Sequence, residues 1–255
     1  MRRPYRDKFQ TTNATLYQGD ALEVLLHLVN QRTVIGSMVI DPPYCSGGFT
    51  ETARRAARGQ GLRSEVLRKI GWFQNDDMTT AGIVWLLRST AVLAAEMLAA
   101  GGSLCVFTDW RMADKLTGPL ESSGLRYQNL VTWDKGTPGL GNGFRPQHEL
   151  ILHFVKGRGR YNHRGTGNVL SVPRVHPTRK RHQTEKPVDL VERILRVVAL
   201  PSLPVVDCFA GSGSTAEACQ RLGLPFIGVE KDREIFRTAC RRIAETQKQS
   251  RAKAG

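Results

Sequence analysis

Cysteine is scarce in this chain and follows no pattern. Five cysteines, Cys45, Cys105, Cys208, Cys219 and Cys240, are scattered over 255 residues. No two stand two or four apart, which excludes a zinc cage by spacing and argues against a disulfide framework. Reduced thiols in a cytoplasmic protein are the expectation. Long apolar runs are missing too. None approaches the roughly 18 residues of a membrane span, and the best stretch, Ala91 to Ala100, is broken by Glu96. The opening Met1-Arg2-Arg3-Pro4-Tyr5 lacks the apolar core of a secretory signal. Acidic residues are outnumbered: 23 Asp and Glu face 37 Lys and Arg, a net charge of +14. Such an excess favours polyanions, with nucleic acid the first candidate and an anionic membrane surface the second. What is present, 40% hydrophobic residues with 25 glycines, is a folded composition with enough chain for a real core.

No internal repeat is visible and no linker separates two halves, so one domain over 1–255 is expected. Short strand patterns alternate with helical ones. Ala14 to Gln18 reads as a strand, followed by helical spacing that places Leu22, Leu25, Leu26 and Val29 on one face. Val34 to Ile40 is nearly all apolar, as a strand covered on both faces should be. Ile83 to Ala100 returns to helical periodicity, with Gly101-Gly102 as its stop. Ser103 to Thr108, Tyr127 to Trp133, Glu149 to Val155, Val205-Val206 and Pro225 to Val229 read as further strands. Met112 to Ser123, Pro187 to Leu200, Ser214 to Leu222 and Glu234 to Gln247 read as helices. This alternation predicts an α/β doubly wound, mainly parallel sheet. The strands before the basic stretch 156–181 lack a helix between them and should pair antiparallel. Two long polar segments, about 45–80 and 136–181, stand out as insertions suited to contact a partner.

Two motifs carry chemistry. Asp207-Cys208-Phe209-Ala210-Gly211-Ser212-Gly213-Ser214-Thr215 lies between a strand and a helix. Its glycines permit a tight turn and close ligand approach, the helix start offers free amides, and Glu230 follows about 20 residues on, where a ribose diol is held in nucleotide-binding sheets. By itself this suits a structural turn as well as a dinucleotide site. Asp41-Pro42-Pro43-Tyr44 ends the buried strand. A carboxylate and a carbonyl can accept both N–H bonds of an exocyclic amine, and an aromatic ring can stack on the base that carries it. A strand-ending turn with a tyrosine over the sheet edge would read the same way.

Taken together and in this order, the motifs resemble the β class of S-adenosylmethionine-dependent DNA amino-methyltransferases, of phage or prophage type, whose catalytic Asp-Pro-Pro-Tyr precedes the Phe-x-Gly-x-Gly cofactor motif. Gly19-Asp20-Ala21 before the catalytic strand and His182-Gln183-Thr184-Glu185-Lys186-Pro187 before the cofactor strand extend the similarity over most of the chain. Gln183 departs from the usual proline. The resemblance implies a Rossmann-like methyltransferase fold: seven mostly parallel strands in the order 3-2-1-4-5-7-6, with an antiparallel edge strand and circularly permuted motifs. It implies catalysis by Asp41, Pro42, Pro43 and Tyr44. It implies S-adenosyl-L-methionine, released as S-adenosyl-L-homocysteine, bound by Asp20, Ala21, Asp41, Thr184, Lys186, Asp207, Phe209, Gly211, Gly213, Ser214 and Glu230. Lys186 and Thr184 would face the methionine carboxylate, Asp20 the adenine amine and Glu230 the ribose. No metal is required.

The implied partner is double-stranded DNA, with the target base flipped out because a stacked amine is unreachable. Asp at the first catalytic position is more usual for adenine N6 and Ser for cytosine N4, so adenine is expected, with N4-cytosine the alternative and a non-catalytic basic DNA-binding protein a third reading. Arg54, Arg55, Arg58, Arg63, Arg68 and Lys69 crowd one basic segment; Arg179, Lys180 and Arg181 end another. They would contact phosphates, and Phe144 or Arg145 would fill the space left by the flipped base. No membrane is expected. The resemblance admits a homodimer and a cognate restriction endonuclease on another chain.

Overall fold

Most helices begin where a short polar side chain satisfies free backbone amides. In the computed structural model, which describes residues 3–44, 79–139, 142–175 and 185–254, Asp20 accepts from the Leu22 amide (3.0 Å) at the start of α1 (Ala21–Asn30). Thr79 accepts from Gly82 (3.1 Å) at α2 (Thr80–Met97), and Asp109 from Arg111 (2.9 Å) at α3 (Trp110–Glu121). Pro187 precedes α4 (Val188–Val198), and the left-handed Gly213 precedes α5 (Ser214–Arg221). Asp232 takes the Glu234 and Ile235 amides at α6 (Arg233–Ala254).

Among the described residues, nine strands form one sheet. They are β1 (Tyr5–Gln10), β2 (Ala14–Gly19), β3 (Ile35–Ile40), β4 (Leu98–Thr108), β5 (Arg126–Asp134), β6 (His148–Val155), β7 (Val169–Ser171), β8 (Val205–Asp207) and β9 (Phe226–Glu230), in the order β1-β2-β9-β8-β3-β4-β6-β5-β7. The stretch from β2 to β5 follows the expected 3-2-1-4-5-7-6. The strand count is corrected from seven to nine, because β1 and β7 add one strand at each margin. The antiparallel strand β6 is not at the edge; it lies between β4 and β5 and runs against both. The antiparallel edge is β1, paired with β2, while β7 joins β5 in parallel. Within 136–181, then, residues 148–155 and 169–171 belong to the sheet.

Alternation along the central strands divides the core. Met38, Ile40, Leu104 and Val106 face Val24, Leu25, Ile83 and Leu116 of α1, α2 and α3. Val39, Cys105 and Phe107 face Leu190, Ile194, Ala216 and Phe236 of α4, α5 and α6. The result is three layers, helices on both faces of a twisted, mostly parallel sheet. The face of α1 is rotated from the expected one: Ala21, Val24, Leu25 and Leu28 are buried, whereas Leu26 is 51% exposed. α2 is long and apolar enough by composition to cross a membrane, with a mean hydropathy of 1.2, in contrast to the reading from apolar runs. Its Ile83, Leu87, Ala91 and Ala94 stripe packs into the core.

Gly101-Gly102 does not stop α2, which ends at Met97; both glycines lie inside β4. A side chain on Gly101 (φ +83°) would strike the Arg160 stem, and one on Gly102 would come within 2.8 Å of the Gly36 carbonyl. The pair therefore marks a crowded, shifted register between β3 and β4.

Candidate active site

The strand order brings distant segments to one rim. β3 and β8 are parallel neighbours, and their connections leave in opposite directions, to β4 on one side and β9 on the other. A crevice opens where such connections diverge. Asp41–Tyr44 follow β3, Asp207 ends β8 and starts the glycine loop, Asp20 follows β2, and Glu230 ends β9. Because β6 is antiparallel, its first residues His148 and Glu149 reach the same rim. These groups, with Lys186 just before α4, surround a cavity of about 1100 Å³.

On one side of the cavity, carboxylates shape the backbone. Asp207 is buried; its Oδ1 accepts from the Phe209 amide (3.0 Å) and its Oδ2 from the Thr215 hydroxyl (2.7 Å). Burial outweighs both bonds and pushes its carboxyl up to about 7. Glu230 accepts from the Gly211 amide (2.9 Å) and the Asp232 amide (2.8 Å), and burial raises its carboxyl as well. Gly211 adopts φ +52°, and a side chain there would meet only the Phe209 carbonyl, at 3.9 Å, so its α-carbon is open to the cavity. Gly213 differs: it caps α5 at φ +88° and packs against Ala239 of α6, outside the cavity wall. Arg242 of α6, itself buried, holds the loop from behind. Its guanidinium donates to the Ser212 and Ser214 hydroxyls (3.3 Å each) and pairs with Glu185 (2.7 Å) and Glu217 (2.5 Å).

The other side is an ion cluster. The buried Lys186 ammonium donates to both oxygens of Asp41 at 2.7 Å and lies 3.3 Å from Glu149 Oε2. Tyr44 donates its hydroxyl to the same Glu149 oxygen (2.9 Å), and Lys135 pairs with Oε1 (2.9 Å). Lys186 also sits 5.1 Å from the Tyr44 ring centre and 5.4 Å from that of Phe107. Burial raises the Asp41 carboxyl, against the pull of Lys186. Burial pushes Glu149 up too, but Lys186 and Lys135 outweigh it and bring it down to about 2. Burial lowers Lys186, and the two carboxylates more than reverse this, keeping it charged. Lys186, expected to face the methionine carboxylate, here contacts Asp41 and Glu149.

Of the expected site residues, Asp20, Ala21, Asp41, Pro42, Pro43, Tyr44, Lys186, Asp207, Phe209, Gly211, Ser214 and Glu230 meet at this cavity, and Gly213 stands behind it. Thr184, Arg54, Arg55, Arg58, Arg63, Arg68, Lys69, Arg179, Lys180 and Arg181 lie outside the described residues. Phe144 is fully exposed, while Arg145 donates to the Gly139 (2.8 Å) and Pro138 (3.4 Å) carbonyls of its own loop. Sequence reasoning missed Lys135, Arg242, and the half-exposed Trp85 and Trp110 at the cavity wall; Glu149 was expected only as the start of a strand. Among the described residues no group of three or more His, Cys, Asp or Glu is placed to hold a metal ion.

Comparison with known proteins agrees with this architecture. A type II methyltransferase, M1.MboII of Moraxella bovis, is 28% identical over 193 residues, 56% of this chain and 73% of that protein. A second from the same organism, M2.MboI, is 23% identical over 251 residues, 91% and 88%. The M1.HpyAVI–SAM complex superposes with a TM-score of 0.64 at 22% identity, covering 90% of this chain and 99% of that one. The cytosine-N4-specific PvuII DNA methyltransferase superposes at 0.68 and 15%, covering 95% and 94%. These structures share the fold. The DNA methylase model of the N6/N4 type matches residues 35–241, most of the chain, and the chain belongs to that family.

Proposed function

We propose that this cavity methylates the exocyclic N6 of an adenine flipped out of double-stranded DNA, using S-adenosylmethionine. The observation that carries the reading is the meeting of Asp41 and the Gly211 bend in one cavity at the ends of adjacent strands. The residues present fit the cofactor. The open α-carbon of Gly211 allows close approach, Phe209 and Ser214 flank it, and Asp20 and Glu230, which line the same cavity, would hold the adenine amine and the ribose diol. When bound, S-adenosylmethionine supplies the electrophilic methyl group and leaves as S-adenosylhomocysteine.

The chain's own residues then do the positioning. An adenine amine is a weak nucleophile because its lone pair is delocalised into the ring. Hydrogen bonds from its two N–H groups to Asp41 and the Pro42 carbonyl orient that lone pair for in-line attack, while Tyr44 stacks on the ring. As the nitrogen gains its methyl group it becomes acidic, and Asp41 is the carboxylate placed to take the proton. The Tyr44–Glu149 hydrogen bond holds the stacking ring in register.

The surface suits DNA. A net charge of +14 supports phosphate contact by the basic segments that hold Arg54 to Lys69 and Arg179 to Arg181. Phe144, Trp85 and Trp110 offer exposed rings to unstacked bases, and Arg111 lies over the Trp110 ring (5.1 Å). A DNA substrate places the enzyme in the bacterial cytoplasm. A homodimer, to be sought by sedimentation, and a cognate endonuclease complete the proposal.

Incubating the protein with labelled cofactor and genomic DNA, then identifying the methylated nucleoside by mass, tests the reading. N6-methyladenine is expected; N4-methylcytosine transfers the same geometry to the other base, and an unmodified genome overturns the assignment. Asp41→Ala should abolish transfer while cofactor binding persists.

A further inference from the structure

As the cavity stands, Lys186 donates to both oxygens of Asp41 and competes with a target amine for them. Lys186 is buried and cannot be left without an anion. Among the described residues, Asp41 and Glu149 are the carboxylates that contact it. Glu149 Oε2 is 3.3 Å from the ammonium, so a sub-ångström shift of the lysine head would make Glu149 its main partner. The four charges Asp41, Glu149, Lys135 and Lys186 balance, so this exchange moves no net charge into or out of the buried cluster. We infer that Glu149 is a positioning residue for methyl transfer: it receives Lys186 when the target amine takes Asp41, and so decides whether Asp41 is open to substrate. This rests on the reading in which Asp41 grips the amine.

Three features separate this role from simple scaffolding. Glu149 comes from β6, an element shared with neither motif, so it can hold the lysine while the Asp41 segment engages the base. Its other oxygen is anchored by Lys135, which fixes the acceptor in place. Tyr44 bonds the receiving oxygen itself, so the stacking ring and the guarding cation share one anchor.

Glu149→Gln keeps an oxygen for the Tyr44 hydroxyl and removes the charge that receives Lys186. The expected result is a fall in kcat on the order of 10- to 100-fold, with KM for DNA and Kd for S-adenosylmethionine within about threefold of the parent, a coupling of the size found inside one ion-pair network. Glu149→Asp, with the charge on a shorter stem, should recover part of the loss and decides the matter if E149Q does not fold. In a Lys186→Gln background, E149Q should cost nothing further, since Glu149 acts through the lysine. Unchanged kcat in E149Q, an E149D variant no better than E149Q, losses that multiply in the double variant, or a Tyr44→Phe variant that reproduces E149Q would each overturn the inference. Asp41→Ala separates the two levels. If it is inactive while E149Q is normal, only the role of Glu149 fails; if it still methylates, the reading of Asp41 fails first.

Discussion

On the glycine-loop side of the cavity, Asp207 and Glu230 spend their carboxylates on backbone amides and the Thr215 hydroxyl; on the far side, Asp41 and Glu149 face two lysines and a tyrosine. The first arrangement fixes the course of the chain, and its bonds must persist while a ligand comes and goes. The second is a set of side-chain pairs with more than one low-energy partner for the same cation. One half of the cavity is therefore a mould and the other an exchange, and substitutions should separate along that line: affinity for the cofactor on one side, turnover on the other.

The hardest test of that division is Asp41→Ala, which should lower kcat by on the order of a thousandfold or more, the range for loss of a proton-accepting group, with cofactor Kd nearly unchanged in calorimetry. Next is Arg242→Met, which removes the buried cation between Glu185 and Glu217. Urea unfolding should show a loss of about 3–5 kcal/mol, with cofactor affinity falling alongside it because Ser212 and Ser214 lose their support. Glu230→Gln should raise the cofactor KM roughly tenfold at near-parental kcat, since one amide-capping oxygen becomes a donor. A kcat effect larger than the KM effect would break the division.

The smallest effect compares the mould with the body of the sheet. Burial holds His153, hydrogen-bonded to Ser103 (3.0 Å), down to about 4, so the unfolded chain takes up its proton first and stability falls as pH drops from about 6.5 towards 4. Burial holds Asp207 up to about 7, so here the folded chain takes up the proton first and stability rises over much the same range. The two slopes oppose each other. Asp207→Asn should expose a loss on the order of 1–2 kcal/mol between pH 7 and 5 in urea midpoints, and His153→Asn a gain of similar size.

Strand and helix alternation, the two motifs and their order were legible because each is local: an apolar run, a pair of prolines, glycines at a bend. β1 was missed because its Tyr-Arg-Asp-Lys-Phe-Gln pairs through the backbone at an edge and buries little. β7 was missed because three residues hold no period. Gly101-Gly102 misled, since a glycine pair marks a close backbone crossing as readily as a helix end. The contacts of the ion cluster around Asp41 were out of reach for a different reason. Tyr44 and Glu149 are 105 residues apart, and Asp41 and Lys186 are 145 apart, so their contacts are set by strand order rather than by any neighbouring pattern.

The placement of β8 beside β3 has a consequence for the newborn protein. Synthesis makes β2 and β3 well before β8 and β9, so the sheet stays open between β2 and β3 until both later strands have been made. Val205 and Val206 pair with β3 on one side and with the still later β9 on the other, so a delay in closing this long-range gap would keep the rim ends of β3 and β8 apart.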